Sequence, residues 1–200
     1  MIREIVLATK NGGKIEELTF LLRGVFEKII TLRDLGSVPD IIEDGDTFTE
    51  NALKKARSIS ELTQKPALAD DSGLEVEALG GRPGIFSSRY AGEGVGDKEN
   101  IDKLLRELSG INNRNGRFVC SLALVSPDGK EIVVEGRCEG IIIDKPRGKG
   151  GFGYDPIFFI PGINKTFAEL SLEEKNRISH RARAVRALVN RIREQGYYYV

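Results

Sequence analysis

The sequence predicts an α/β protein whose mixed sheet carries helices on both faces. The first observation is an opening of strand, amphipathic helix and second strand, which is typical of a parallel pair with a right-handed crossover. The second is a pair of long strands in the later half, joined by a short turn, which indicates a hairpin. With 200 residues, the chain is long enough to bury a sizeable core. We therefore expect one domain over residues 1–200, with two lobes and a cleft between them.

The individual elements follow from hydrophobic periodicity and from capping signals. Thr47 and Glu50 form a capping box, as do Ser171 and Glu174, so a helix is predicted to start at each pair. Helices are predicted at 14–23, 47–64, 97–108 and 171–194. Ser179 either lies within the last of these or begins a fresh helix. Strands are predicted at 2–8, 26–32, 67–70, 74–79, 117–126 and 131–143.

The composition narrows the class of function. Basic and acidic side chains balance at 30 each, so we expect no broad nucleic-acid-binding surface. No apolar run is long enough to span a bilayer, and the N-terminus lacks a signal-peptide layout, so the cytoplasm is the expected compartment. Cys120 and Cys138 fall within predicted strands and are expected to be free, buried thiols. The single histidine, His180, excludes a His-rich metal site and disfavours a Ser-His-Asp triad.

The most informative segment is 67–74, Ala-Leu-Ala-Asp-Asp-Ser-Gly-Leu. An apolar run ends in two adjacent carboxylates, which suggests a buried strand that delivers acids to the edge of a cleft. Two neighbouring carboxylates repel each other, and their usual uses are a divalent cation or a shared proton. The alternative is a solvated turn capped by Asp70 or Asp71.

Residues 9–14, Thr-Lys-Asn-Gly-Gly-Lys, lie between the first predicted strand and the first predicted helix. Turn glycines let the backbone approach a ligand, the helix N-terminus offers unpaired N–H groups, and Lys14 adds a full positive charge. This combination favours phosphate binding, although the spacing differs from that of a Walker A loop. The alternative is a turn in which Asn11 and Gly12 serve left-handed backbone angles.

Three further segments are candidates for a site. One or more of the acids in 43–46 either joins Asp70 or Asp71 around a hard cation or complements the dipole of the next helix. The aromatic rings in the glycine-rich segment 148–156 either form a stacking platform for a flat ligand or tuck into the core. The donor-rich segment 175–181 suits an anionic or carbonyl-rich ligand, or is an ordinary solvated helix face.

Taken together, these segments resemble one family in both order and spacing, the Ham1-like inosine triphosphate pyrophosphatases. The likeness covers nearly the whole chain; residues 197–200 at the tail are interpreted as local variation. The markers are Ala8-Thr9-x-Asn11-x-x-Lys14, Thr47-Phe48-x-Glu50-Asn51-Ala52, residues 69–74, Gly80-Gly81-x-Pro83-Gly84, residues 150–156 and Ile178-Ser179-His180-Arg181.

The resemblance implies a fold, a reaction and partners. The fold is an elongated, curved mixed sheet related to that of the Maf-like proteins, with the nucleotide in the cleft. The reaction is hydrolysis of XTP, ITP and dITP to the monophosphate and pyrophosphate, assisted by Mg²⁺, as water attacks the α-phosphorus. The implied partners are a purine nucleoside triphosphate and a second copy of the chain, with neither nucleic acid nor membrane.

The resemblance also implies a role for each matching residue. Thr9, Lys10, Asn11, Gly12, Gly13 and Lys14 cradle the triphosphate. Glu43 and Asp71 hold Mg²⁺, although a neighbouring acid could replace Glu43. Asp71 is also the general base, and Ser72 touches the substrate. Phe152, Gly153, Tyr154, Asp155, Lys175, His180 and Arg181 form the base pocket, in which Arg181 or another fixed donor faces the purine 6-oxygen. The alternatives are a Maf-like pyrophosphatase for modified pyrimidine nucleotides and a nucleotide-binding module without turnover.

Overall fold

This computed structural model of the protein describes residues 3–36 and 38–195. It confirms the α/β class. The strands are β1 Glu4–Leu7, β2 Lys28–Thr31, β3 Ala67–Val76, β4 Asn115–Val125, β5 Glu131–Ile142, β6 Phe158–Ile160 and β7 Lys165–Thr166. The helices are α1 Gly12–Leu21, α2 Phe48–Thr63, α3 Asp97–Glu107, α4 Leu172–Ile178 and α5 His180–Glu194. The predicted start of the first strand at residue 2 and the tail at 197–200 lie outside the described residues.

The described strands form one seven-stranded mixed sheet in the order β2-β1-β3-β4-β5-β6-β7. β1 pairs in parallel with both β2 and β3, which confirms the predicted β-α-β opening. β6 pairs antiparallel with both β5 and β7. β4 and β5 are sheet neighbours joined by a short turn, in which the Ser126 amide donates to the Lys130 carbonyl at 2.9 Å, as expected for the predicted hairpin.

The chain divides into two compact units. The first consists of the described residues up to 71, residues 120–136 and those from 181 onward. Alternate residues of β1 serve two cores in this unit, because side chains along a strand point to opposite faces. Ile5 and Leu7 pack in a cluster with residues of α1 and α5, whereas Val6 packs in a cluster with Ala52 and Ala56 of α2. Helices therefore cover both faces of the sheet here, as predicted.

The second unit consists of residues 72–119 and 137–180. Its core joins the end of β3 and the apolar side of α3 to a group of aromatic rings. The rings of Phe118 and Phe158 meet edge to face at 4.6 Å, and Phe118 stacks on Phe167 at 5.7 Å between centroids. Such pairs stabilise a core beyond the area that they bury.

The structure corrects one prediction of the fold and settles another. The sequence predicted two strands, 67–70 and 74–79, with the paired acids at the end of the first; instead β3 runs unbroken through both acids. The acids tolerate this burial because each has cationic partners, described below. Ser179 does separate two helices, since its extended backbone at ψ 159° lies between α4 and α5.

Both cysteines are free and buried, as predicted. Among residues 3–36 and 38–195, no helix combines the length and the apolar character needed to cross a membrane.

Candidate active site

The two adjacent acids, Asp70 and Asp71, point to opposite faces of β3. Leu68, two residues before Asp70, packs with α1 and α5, whereas Ala69, two residues before Asp71, packs with α2. The two carboxylates therefore face different surroundings, whereas the sequence analysis considered a divalent cation or a shared proton for the pair. Each has its own set of partners and its own chemistry.

Asp70 lies in a fully buried ionic network. Its Oδ2 accepts from Arg181 Nε at 3.1 Å and from the Cys120 thiol at 3.1 Å, and its Oδ1 forms a close ion pair with Lys14. Burial by itself would raise the pKa of Asp70, but the charges of Arg181 and Lys14 outweigh it and hold the pKa well below its usual range. The carboxylate is therefore permanently ionised at neutral pH and suits an anchor better than a base.

Arg181 has a second carboxylate partner, Glu17, in a close and buried ion pair. Glu17 lies on α1 close to Lys14, so the guanidinium links α1 to β3 and α5. Burial would lower the pKa of Arg181, but Asp70 and Glu17 raise it above its usual value. The sequence placed Arg181 only in the base pocket; the structure gives it a structural role in the first unit as well.

Asp71 faces a different cation, Lys55. The Lys55 ammonium lies 3.1 Å from Asp71 Oδ1 and 3.2 Å from Glu43 Oε1, and Asn51 Nδ2 donates to Asp71 Oδ2 at 3.3 Å. Burial raises the pKa of Asp71 to about 6, with Lys55 and Lys14 opposing the rise and Glu43 adding to it. A carboxyl group that titrates close to neutrality can accept a proton near physiological pH.

The donors around Lys55 fit a hard cation. Glu43 and Asp71 supply carboxylate oxygens, the ligands that Mg²⁺ prefers, and they already share one positive charge. Asp44, the neighbouring acid, is instead paired with Lys54 at the surface. In the described ranges, no three His, Cys, Asp or Glu side chains are grouped for metal binding. Two carboxylates suffice where phosphate oxygens and water complete the coordination of Mg²⁺.

The phosphate-loop candidate leads into α1. Asn11 is the N-cap: its Oδ1 accepts from the Lys14 amide at 3.0 Å, and its own amide donates to Thr9 Oγ1 at 3.2 Å. Asn11 has φ −72°, and Gly12 is not among the positive-φ residues, so the alternative based on left-handed angles is wrong. Lys10 is ion-paired with Asp40 at the surface. Gly12 and Gly13 contribute the first amides of α1, and the Lys14 side chain of the same turn reaches Asp70.

Three base-pocket candidates of the second unit lie together. The amide of Phe152 donates to Asp155 Oδ2 at 3.0 Å, and Asp155 forms a close, buried ion pair with Lys175. The Lys175 ammonium also lies 5.0 Å from the centroid of the half-buried Phe152 ring, within cation–π range. One carboxylate and one ammonium thereby fix both the backbone and the ring of Phe152.

Two other candidates belong to the core of this unit. Tyr154 is 3% exposed, and its hydroxyl donates to the Ser87 carbonyl at 2.9 Å. His180 stacks on Phe118, with ring centroids 4.7 Å apart. Both side chains anchor their segments in the core. For Tyr154 this is the alternative stated above, in which a ring of segment 148–156 packs into the core. Ser72 is half-buried in β3, directly after Asp71.

Glu17, Asn51 and Lys55 were assigned no role from the sequence, although Asn51 belongs to one of the family markers. Each lies on the buried side of a helix that the sequence placed correctly. On α2, the buried positions run Phe48, Asn51, Ala52, Lys55, Ala56 and Ile59. A polar residue that falls within such an apolar stripe must find a buried partner, and this signal could have identified Asn51 and Lys55.

Known proteins resemble this chain along nearly its whole length. Residues 5–191 match the sequence model of the Ham1 family. A dITP/XTP pyrophosphatase of Geobacillus kaustophilus is 52% identical, with 94% of this chain and 93% of that protein covered. One of Desulfotalea psychrophila is 50% identical, with coverage of 92% and 83%. The solved Staphylococcus aureus Ham1 protein has a TM-score of 0.86 at 42% identity, covering 96% of this chain and all of that one (100%). A HAM1 protein from Coxiella burnetii also scores 0.86, at 46% identity, covering 96% and 99%.

Proposed function

The chain belongs to the Ham1 family, and on that premise we propose that it hydrolyses non-standard purine nucleoside triphosphates. The substrates are XTP, ITP and dITP, and the products are the monophosphate and pyrophosphate. Relatives about 50% identical carry the name dITP/XTP pyrophosphatase, which supports this substrate class. The structural observation that carries the proposal is Asp71, a buried acid whose pKa of about 6 suits a base, set beside a second carboxylate and Lys55.

Asp71 is the proposed general base. It takes a proton from the water that attacks the α-phosphorus, and at pH 7 a carboxyl with a pKa of about 6 is mostly ionised and ready to do so. Lys55 and Asn51 each contact a different oxygen of this carboxylate and so fix its orientation. No covalent intermediate is needed.

Glu43 and Asp71 are the proposed ligands of Mg²⁺. When bound, the cation neutralises charge on the phosphate oxygens. Lys14 and the first amides of α1 bind the triphosphate and stabilise the departing pyrophosphate through positive charge and N–H groups. The Lys14 ammonium is already positioned by its ion pair with Asp70, and its side chain retains some exposure.

Purine selectivity is proposed to come from hydrogen bonding at the 6-position. Phe152 offers a ring for stacking, supported by Asp155 and Lys175. A fixed donor matches the 6-oxygen of hypoxanthine and xanthine, whereas the 6-amine of adenine would leave it unsatisfied. Arg181 was the sequence-based candidate for this donor, but its guanidinium is buried against Asp70 and Glu17. Hydrogen-bond-based pockets of this kind can discriminate by about 10⁴-fold. Gly153 is the loop residue that follows Phe152. Tyr154 and His180 are buried and are proposed to hold the neighbouring backbone in place.

The oligomeric state, the domain organisation, the kind of partner and the compartment are part of the same proposal. The family resemblance supports a homodimer and one pyrophosphatase domain over residues 1–200, and the cytoplasm is the proposed compartment. The balance of basic and acidic residues is consistent with a small-molecule substrate rather than nucleic acid.

The proposed activity is tested by pyrophosphate release from ITP, XTP, dITP, GTP and ATP, each with and without Mg²⁺. We expect fast, Mg²⁺-dependent release from the first three and little from ATP, which lacks the 6-oxygen. Little release is also expected from GTP, but guanine carries the 6-oxygen, so its rejection must use the 2-amino group. Equal rates on all five nucleotides would contradict the 6-position selectivity, and no release from any of them would contradict the activity.

The ligand assignment is tested with a matched pair of variants. Glu43→Gln removes one proposed ligand charge, and Asp44→Asn removes the adjacent charge, which lies at the surface with Lys54. We expect Glu43→Gln to raise the Mg²⁺ concentration needed for half-maximal activity about 10-fold or more, and Asp44→Asn to leave it unchanged. The opposite pattern would move the metal to Asp44.

A further inference from the structure

The peptide groups on both sides of Phe152 are held by carboxylates. The Phe152 amide donates to Asp155 Oδ2 at 3.0 Å, and the next amide, that of Gly153, donates to Asp97 Oδ2 at 2.6 Å. The second bond is short, as expected of a charge-assisted hydrogen bond. Asp155 belongs to the same loop as Phe152, whereas Asp97 is the first residue of α3.

These hydrogen bonds matter because the residues next to Phe152 are glycines, which do little to restrict the backbone. Gly151 and Gly153 flank Phe152 with φ values of +72° and +59°, which glycine adopts without strain. Glycine also has the largest conformational freedom to lose on ordering. A Cβ on Gly151 would lie 2.1 Å from Asp155 Oδ2, so close approach to that carboxylate requires glycine there. The hydrogen bonds to the amides of Phe152 and Gly153 therefore restrict the backbone that carries the Phe152 ring.

We propose that Asp97 is a positioning residue for purine binding. By accepting from the Gly153 amide, it fixes the backbone that follows Phe152, and thereby the orientation of the ring, without touching the substrate. Asp155 fixes the preceding peptide group in the same way. The inference rests on the proposed function only in taking Phe152 as the surface on which the purine stacks.

A simpler role for Asp97 would be to complement the dipole of α3. Glu99 provides the control, because it lies in the same first turn and its Oε2 accepts from the Gly96 amide at 3.1 Å. Both acids stabilise the start of the helix, but only the Asp97 carboxylate has a described bond to the glycine-rich loop.

The test compares Asp97→Ala, Asp97→Asn and Glu99→Ala in two measurements. The first is amide hydrogen exchange at Gly153 by NMR, which needs no nucleotide. We expect exchange to be about 10-fold faster in Asp97→Ala and unchanged in Glu99→Ala. The second is steady-state kinetics with ITP. We expect KM to rise about 10-fold in Asp97→Ala with kcat within about twofold, because binding is affected and the reacting groups are not.

Asp97→Asn keeps an acceptor oxygen, so it should restore KM to within about threefold of the wild-type value. Equal KM values for Asp97→Ala and Glu99→Ala would overturn the proposal, as would faster exchange at Gly153 without a change in KM. If the wild-type protein released no pyrophosphate, the proposed hydrolysis would fail separately. Calorimetric titration with inosine monophosphate would then test the role of Asp97. If Asp97 positions Phe152, Asp97→Ala should bind the nucleotide about 10-fold more weakly than the wild type.

Discussion

Replacing Arg181 with leucine tests whether its buried ionic network stabilises the fold. The guanidinium is 1% exposed and serves two buried carboxylates, Asp70 and Glu17. Leucine fills part of the volume but leaves both acids without this charge. Asp70 keeps Lys14 as a partner, whereas Glu17 loses the ion pair that accompanies its burial.

The magnitude follows from the cost of leaving a buried charge without its partner. Breaking a buried ion pair by removing one side typically costs about 3–5 kcal/mol. We expect Arg181→Leu to lower the free energy of unfolding by about 3–5 kcal/mol. This is a large share of the total, which is typically about 5–15 kcal/mol for a folded protein. The double variant Arg181→Leu/Glu17→Leu should recover part of the lost free energy of unfolding, because it no longer buries the Glu17 carboxylate without the guanidinium.

The assay is urea unfolding followed by circular dichroism, with Arg183→Leu as the control. Arg183 is exposed on the same helix, so its replacement should change stability by less than about 0.5 kcal/mol. A loss below about 1 kcal/mol for Arg181→Leu would refute the network. The result also matters for selectivity experiments, because a change of substrate preference at Arg181 can be interpreted only in a variant that remains folded.

Three further predictions concern single groups. Without Mg²⁺, lowering the pH from 7 to 5 should stabilise the wild type by about 1 kcal/mol relative to Asp71→Asn. Folding raises the pKa of Asp71 to about 6, so the folded state binds the proton more tightly than the unfolded state. Thermal melts of both proteins at both pH values measure the difference. Lys55→Met should lower kcat for ITP by about 100-fold or more, whereas Lys54→Met at the surface should not. Tyr154→Phe should lose one hydrogen bond to Ser87 and about 0.5–1.5 kcal/mol of stability, measured by urea unfolding.

The sequence predicted the elements well where local signals decide them. The Thr47 and Ser171 side chains both accept from the amide three residues on. The capping box is complete at Ser171, whereas Glu50 accepts from the Asp46 amide instead of that of Thr47. Ser179 separates two helices for a similarly local reason, its extended backbone. The error at β3 arose because the burial of Asp70 and Asp71 depends on cations from distant parts of the chain. A local pattern of two acids cannot show that Lys14, Lys55 and Arg181 will neutralise them.

The sequence indicated which segments contribute to the candidate site, but it showed few of the contacts between their side chains. Glu43 and Asp71 were paired by resemblance, and the structure shows how they meet, through the Lys55 ammonium. Asp70 and Asp71 have different partners because adjacent side chains of a strand face opposite sides, so only one of the two is proposed as the base. Asp97 could not be inferred from sequence, since its bond to Gly153 joins residues 56 positions apart.

The most direct test of water attack on the α-phosphorus is hydrolysis of ITP in water enriched in ¹⁸O. Attack of water on the α-phosphorus places the label in inosine monophosphate and leaves pyrophosphate unlabelled, as read by mass spectrometry of both products. We expect this result, with Asp71→Asn reducing the rate by about 100-fold or more. Label in pyrophosphate, or release of single phosphates in sequence, would contradict it.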